Sequence, residues 1–215
     1  MIIDCISDMH GNFPDLEGGD LLIIAGDMLS GEGIELVIDF NNWVSFISDK
    51  YKKVIIIAGN HDNFLNDQHE TVDFGYMTYL CDSGIEFEGL KIWGSPWTKT
   101  FPGINPKCKA FTCISEEHLK EKWDLIPLDT NIIITHCPPA GILDENYQEI
   151  SCGSYTLLHE IKRIMPKLHA FGHVHEQGGK REEHSDRHGR KTIFVNASIM
   201  NYDYKPKNQT IRIEL

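Results

Sequence analysis

Six short runs of aliphatic residues punctuate the chain: Ile2–Ser7, Leu21–Ala25, Val54–Ala58, Ile132–Thr135, His169–Gly172 and Thr192–Asn196. Their apolar stretches are continuous rather than alternating, and Gly, Asp, Asn or Pro stand near their ends. Each therefore predicts a strand buried on both faces. Helical spacing appears between them. Ile34 to Ser48 places Leu36 or Val37, Phe40, Val44 and Ile47 near helical spacing. Ser115 caps a segment whose first turn holds Glu116 and Glu117. From Gly153 to Met165, Tyr155, Leu158, Ile161 and Met165 form a stripe that stops before Pro166. Glu86–Trp93 alternates around Gly89 and predicts a hairpin, and Gln209–Leu215 predicts a final strand. Glu176–Arg190 is polar and charged with both signs, which reads as a surface loop or hairpin tip. Strands that alternate with helices predict an α/β fold, and the hairpin predicts a mixed sheet. No repeat or shift in composition divides the chain, so residues 1–215 are expected to form one domain.

Composition narrows the picture. The 215 residues carry 32 acidic and 20 basic side chains, a formal net charge of −12. This argues against a broad basic face for long nucleic acids, but not against one small phosphate held by a metal. No apolar run reaches the roughly 18 residues of a membrane span. The start, Met1-Ile2-Ile3-Asp4, has no basic n-region, so a soluble, cytoplasmic protein without a membrane partner is expected. The six cysteines are scattered without a CxxC pair, which favours reduced thiols. The sequence sets no oligomeric state. The 11 histidines are the unusual number.

Their positions matter more than their count. Asp8-Met9-His10 follows the first run, Gly26-Asp27 the second and Gly59-Asn60-His61-Asp62 the third. His136 follows the fourth, and His173-Val174-His175 the fifth. A lone Asp behind a strand is commonly a turn or helix cap, and a lone His is commonly only hydrogen-bonded. Five such sites in order are a different matter. In α/β sheets, ligands bind beyond the carboxyl ends of the strands, so these side chains are set to converge. Carboxylate, imidazole and amide oxygens suit Mn, Fe, Zn or Mg. Two such metals sharing one carboxylate clamp an in-line displacement at phosphorus.

In this order the motifs resemble those of the calcineurin-like metallophosphoesterases. Gly94-Ser95-Pro96-Trp97, His136-Cys137-Pro138-Pro139 and Asn196-Ala197-Ser198 are similar to the small metallophosphoesterase-domain-containing branch. That branch includes fetal-brain-type cyclic nucleotide phosphodiesterases. The resemblance implies a four-layer αββα sandwich of two mixed sheets flanked by helices. It implies two divalent metal ions, with Mn²⁺ favoured. One would take Asp8, His10, Asp27 and His175, and the other Asp27, Asn60, His136 and His173. His61 would face the phosphate as the catalytic residue. The implied reaction is hydrolysis of small phosphodiesters, such as cyclic nucleotides, by in-line attack of a metal-bridging hydroxide.

The protein Ser/Thr phosphatases of that superfamily carry Asp-Arg-Gly shortly after the second motif. Here Gly26-Asp27 is followed by Met28-Leu29-Ser30-Gly31, which disfavours a phosphoprotein substrate and leaves the partner of His61 open. A phosphomonoesterase or protein phosphatase is the first alternative, and a catalytically weak scaffold or nucleotide-binding protein the second. Asn12, Trp97, Phe101 and Gly141 are candidate substrate contacts, and Phe13 is a further ring within reach. His169 is a candidate support for the ligands. His69, His118 and His159 read as exposed or satisfied helix residues, and His184 and His188 as a solvated loop pair.

Overall fold

The computed structural model describes residues 1–29, 34–68, 72–100 and 108–215. Two sheets dominate it. The first has β1 (Ile2–Ile6), β2 (Gly19–Ala25), β3 (Tyr51–Ile57) and β4 (Met77–Tyr79) in parallel, with β13 (Ile211–Glu214) antiparallel to β1. The second runs in the order β11, β12, β10, β9, β6, β5. Its members are β5 (Ser83–Phe87), β6 (Leu90–Ser95), β9 (Ile132–Thr135), β10 (Leu168–Phe171), β11 (Lys180–Ser185) and β12 (Lys191–Asn196). Its four inner strands are parallel, and β5 and β11 close the edges antiparallel. A short parallel pair, β7 (Thr98–Lys99) and β8 (Thr112–Cys113), lies apart. The helices are α1 (Ile34–Ile47), α2 (Asn63–Gln68), α3 (Glu116–Trp123) and α4 (Tyr155–Ile164).

The continuous aliphatic runs have a direct explanation here. Successive side chains of a strand point to opposite faces, and both faces are covered. Ile3, Cys5, Leu21, Ile23, Ile55 and Ile57 meet Ile132, Ile134, Leu168, Ala170 and Val195 in a core between the sheets. The alternate residues Ile6, Leu22, Ile24, Val54 and Ile56 pack with Val37, Phe40, Val44 and Ile47 of α1. On the other side Ile133, Phe171 and Phe194 pack with Leu119, Trp123, Leu157 and Ile161. The result is the αββα sandwich that the family resemblance implied. Burying each of these Ile, Leu, Val and Phe side chains contributes roughly 1.5–3 kcal/mol.

Strong local signals in the sequence coincide with element ends in the structure. Ser115 accepts a hydrogen bond from the His118 N–H and starts α3; Ser154 does the same for α4 through Leu157. Met165 stops α4 in a left-handed conformation before Pro166. Glu88 and Gly89 both have positive φ and link β5 to β6. Such a two-residue turn matches the twist of a hairpin. Within Glu176–Arg190 the structure holds a strand, β11, with a turn at Asp186–Gly189. All six of its side chains are exposed. Charged side chains on an edge hide the strand signal while they protect the edge from further pairing. All six cysteines are free thiols. Among the described residues no helix is long and apolar enough to cross a membrane.

Candidate metal centre

Five strands end at one place. The loop after β1 is laced to the loop after β2: Asp8 N donates to Gly26 O, His10 N to Asp27 O and Gly11 N to Met28 O, at 2.9–3.0 Å. Asp62 ties the third loop in, because its carboxylate accepts from Gly59 N (2.8 Å) and Leu29 N (2.9 Å). Across the gap between the sheets, the His173 N–H reaches the Asp8 carboxylate at 3.0 Å; within the second sheet, Gly172 N donates to His136 O. Two glycines allow this closeness. A Cβ on Gly59 would collide with the Asp27 carboxylate, and one on Gly172 with Ser7 and Asp8.

Asp8, His10, Asp27 and His173 all adopt left-handed φ, between 45° and 72°. For such residues this costs about 1–2 kcal/mol each, and it persists where surrounding bonds impose it. The strain aims the side chains inward. Asp8, Asp27 and His136 are almost completely buried, and His10, Asn60 and His175 nearly so.

Two donor groups result. In the first, His175 Nε2 lies 3.2 Å from Asp8 Oδ1 and 3.4 Å from His10 Nε2. In the second, Asn60 Oδ1 lies 3.1 Å from His136 Nε2 and 3.0 Å from His173 Nδ1. Asp27 Oδ2 stands between them, 3.9 Å from His10 Nε2 and 3.3 Å from His136 Nε2. Asp8, His10 and His175, and likewise Asp8, Asp27 and His136, have ligand atoms close enough to hold an ion. His10, Asp27 and His61 form a further such group. The His136 Nδ1–H donates to Ala25 O at 2.9 Å, which leaves its Nε2 lone pair facing inward, as a metal ligand requires.

The electrostatics of the polypeptide match this donor chemistry. Burial alone would raise Asp27, but His136, His61 and His10 outweigh it and hold the carboxyl well below its usual range. Asp8 is likewise held low against its burial, chiefly by His175. Burial would lower His136, yet Asp27 and Asp8 push it up to about 10. His10 and His173 are pushed down by burial, to about 4 and about 3. The polypeptide therefore balances two buried carboxylates with a proton on imidazole. Divalent cations would supply that charge instead, displacing the proton as ligands must be deprotonated to bind. The donor set fits such ions.

The partner of His61 is also visible. Its Nδ1 contacts Cys108 Sγ at 3.2 Å, its Nε2 lies 4.0 Å from Asp27 Oδ2, and its backbone N–H donates to Asp27 Oδ1. Burial raises the Cys108 thiol, so the sulfur orients the ring without adding a negative charge. Met28 and Leu29, directly after Asp27, are buried in the α1-side core, and residues 30–33 lie outside the described residues.

The proposed substrate contacts fare unevenly. Phe13 is partly buried and stacks on Trp43 at 5.5 Å against the core around α1, the packing that loop aromatics commonly find. Trp97 donates to Asp82 at 2.8 Å, lies under Lys122 and packs edge-on against Phe111. Those partners account for its position structurally. Asn12 donates to Met9 O and His10 O, bracing the first motif loop. Gly141 has φ of 76°, with open space where a Cβ would lie. Phe101 and His69 lie outside the described residues. His169 donates or accepts at Thr135 Oγ1 (2.8 Å), one residue before His136. Sequence reasoning missed Cys108, whose contact depends on a distant loop, and Tyr204. The Tyr204 ring lies 4.7 Å from that of His175 and 5.1 Å from that of His10.

Comparison with known proteins agrees with this geometry. A family model described as calcineurin-like phosphoesterase matches residues 1–177. Human metallophosphoesterase domain-containing protein 1 is 34% identical, over 98% of this chain and 70% of its own length. The UPF0046 protein C25E10.12 of Caenorhabditis elegans is 33% identical, over 92% of this chain and 75% of its own length. Among solved structures, the phosphopantetheinyl hydrolase of Mycobacterium tuberculosis shares the fold. Its TM-score is 0.55 at 14% identity, over 98% of this chain and 95% of that one. Five strand ends with aspartate and histidine converging on a buried point, and relatives matched along nearly the full length, lead to one assignment: the chain belongs to the calcineurin-like phosphoesterase family, whose members are metal-dependent hydrolases.

Proposed function

We propose that this chain is a dinuclear phosphodiesterase for small phosphodiesters such as cyclic nucleotides. The observation that carries the reading is the pair of donor groups that share Asp27 Oδ2. Asp8, His10, Asp27 and His175 would hold one ion, and Asp27, Asn60, His136 and His173 the other. Mn²⁺ is the favoured metal. When bound, two such cations supply Lewis-acid polarisation of the phosphoryl oxygens and activation of the attacking water. The protein does the rest. The laced loops hold the donors rigid, and His136 is kept in the right tautomer by Ala25 O. His61, with Cys108 behind it, presents Nε2 toward the reacting phosphate. As the P–O bond to the leaving group breaks, Nε2 gives its proton to the departing alkoxide.

Diester is favoured over monoester on charge. Met28 and Leu29, directly after Asp27, pack in the core and bring no cation to the phosphate beyond the metals. A monoanionic diester needs less compensation than a dianionic monoester. A panel in Mn²⁺ tests this: bis-p-nitrophenyl phosphate, p-nitrophenyl phosphate, 2′,3′-cyclic AMP and 3′,5′-cyclic AMP. The diesters are expected to turn over faster. Faster cleavage of the monoester would replace this reading with that of a phosphomonoesterase.

A further inference from the structure

The loop between β12 and β13 brings a sixth strand end to the site. β12 is parallel to β10, so the chain leaves it on the same side of the sheet as the histidines. It then crosses to the first sheet, where Ile199 N donates to Ser7 O. Beyond this anchor, residues 201–205 close on themselves. Asn201 N donates to Lys205 O, Tyr204 N donates to Asn201 O, and Asn201 Oδ1 accepts from Asp203 N and Lys205 N. Asn208 pins the base of the loop through Ser198 O and Met200 O.

This frame holds Tyr204 at φ 56°, the conformation shared by four of the residues in the donor groups. A tyrosine there is strained, and strained residues gather where a side chain must be aimed. The aim is clear. The Tyr204 ring centre lies 4.7 Å from that of His175, 5.1 Å from that of His10 and 6.2 Å from that of His61. It meets these three rings at 78°, 57° and 55°, so it stands across their rims rather than flat on one of them. The residue is still 46% exposed. A rigid aromatic ring thus sits at the mouth of the site, between solvent and the imidazoles.

We propose that Tyr204 is a substrate-positioning residue that selects esters carrying an aromatic group, with a nucleobase stacking on its ring while the phosphate lies among the buried donors. The inference rests on the phosphoesterase reading and deepens it by naming the organic part of the substrate. The competing role is purely structural, a wedge that keeps His10 and His175 in place.

Binding separates the two roles. The full-length protein loaded with Mn²⁺ is titrated calorimetrically with 5′-AMP and with ribose 5-phosphate, which differ only in the base. Wild type is expected to prefer AMP by about 5- to 150-fold, the range of one base–aromatic stack. Tyr204→Phe keeps the preference. Tyr204→Ala loses most of it, while its affinity for ribose 5-phosphate and its metal content stay at wild-type values. Equal affinity of wild type for the two ligands would overturn the inference alone. So would a preference that survives in Tyr204→Ala, or a loss that falls equally on both ligands. Failure of wild type to bind either phosphate would overturn the phosphoesterase reading, and this inference with it.

Discussion

Asp4 and Asp8 stand four residues apart on one stretch of chain, and both are buried, at 2% and 0% exposure. Their surroundings differ in kind. Asp4 is fully answered: Arg212 donates to both of its oxygens at 2.9 Å, and the Tyr51 hydroxyl donates at 2.6 Å. Glu116 resembles it, bonded to Ser154, Thr156 and Lys99. Asp8 faces Asp27 and a ring of imidazoles, with no lysine or arginine among its described ion pairs. Burying a charge is tolerable only with a counter-charge and full hydrogen bonding. Asp4 has both from its own chain. Asp8 and Asp27 have them in part, and a cation completes the set. Buried carboxylates that close their own accounts belong to the scaffold, and those left open mark the chemistry.

Breaking the open cluster should have the largest effect. Asp27→Ala removes the oxygen common to both donor groups. It should cut turnover by roughly 10³-fold or more, given the several kcal/mol that metal charge supplies. Metal analysis should show fewer than two ions per chain, and a variant that kept two ions and full rate would refute the shared role. His61→Ala should lower turnover by about 10²–10⁴-fold, the usual cost of losing a general acid. Its metal content should equal that of wild type; loss of an ion would make His61 a ligand, as its proximity to His10 and Asp27 allows.

The closed clusters should respond only in stability. Asp4→Asn weakens charge-assisted bonds from Arg212 and Tyr51 and should lower unfolding stability by about 1.5–3 kcal/mol in urea titrations. Turnover per folded molecule and metal content should not change. The smallest effect belongs to Glu116. Burial alone would raise its carboxyl, but the hydrogen bonds from Thr156 and Ser154 and the Lys99 ammonium beside it outweigh that and hold it below the ordinary Glu range. A carboxylate with a lowered folded pKa stabilises fully above its unfolded value. That contribution is lost as pH falls through the folded value. Melting curves from pH 6 to pH 3 should therefore show a steeper acid decline for wild type than for Glu116→Gln. The difference should be about 2–4 °C, the shift expected for roughly 1 kcal/mol in a domain of this size. Parallel declines would remove Glu116 from the closed class.

Much of this contrast could be read from the residues in order. The buried strands announced themselves because both faces of each are covered, and the motif residues because each directly follows such a strand. What escaped depends on contacts between distant segments. Cys108 meets His61 across 47 positions and offers no metal-type pattern. Tyr204 follows Asn196, the end of β12, only after a loop anchored at Ser7 and then closed on its own backbone. Aromatic residues in a loop do not reveal which face they will find: Phe13 and Trp97 look like Tyr204 in sequence, yet they pack on Trp43 and Phe111. The strand β11 escaped because an edge strand carries charges where a central strand carries Ile and Val.

In the proposed site the open cluster holds two ions about one carboxylate. Anomalous diffraction from crystals grown with Mn²⁺ tests it most directly. Two peaks roughly 3.5–4 Å apart are expected on either side of Asp27, one bounded by Asp8, His10 and His175 and the other by Asn60, His136 and His173. A single peak, or a peak ligated by His61, would contradict it.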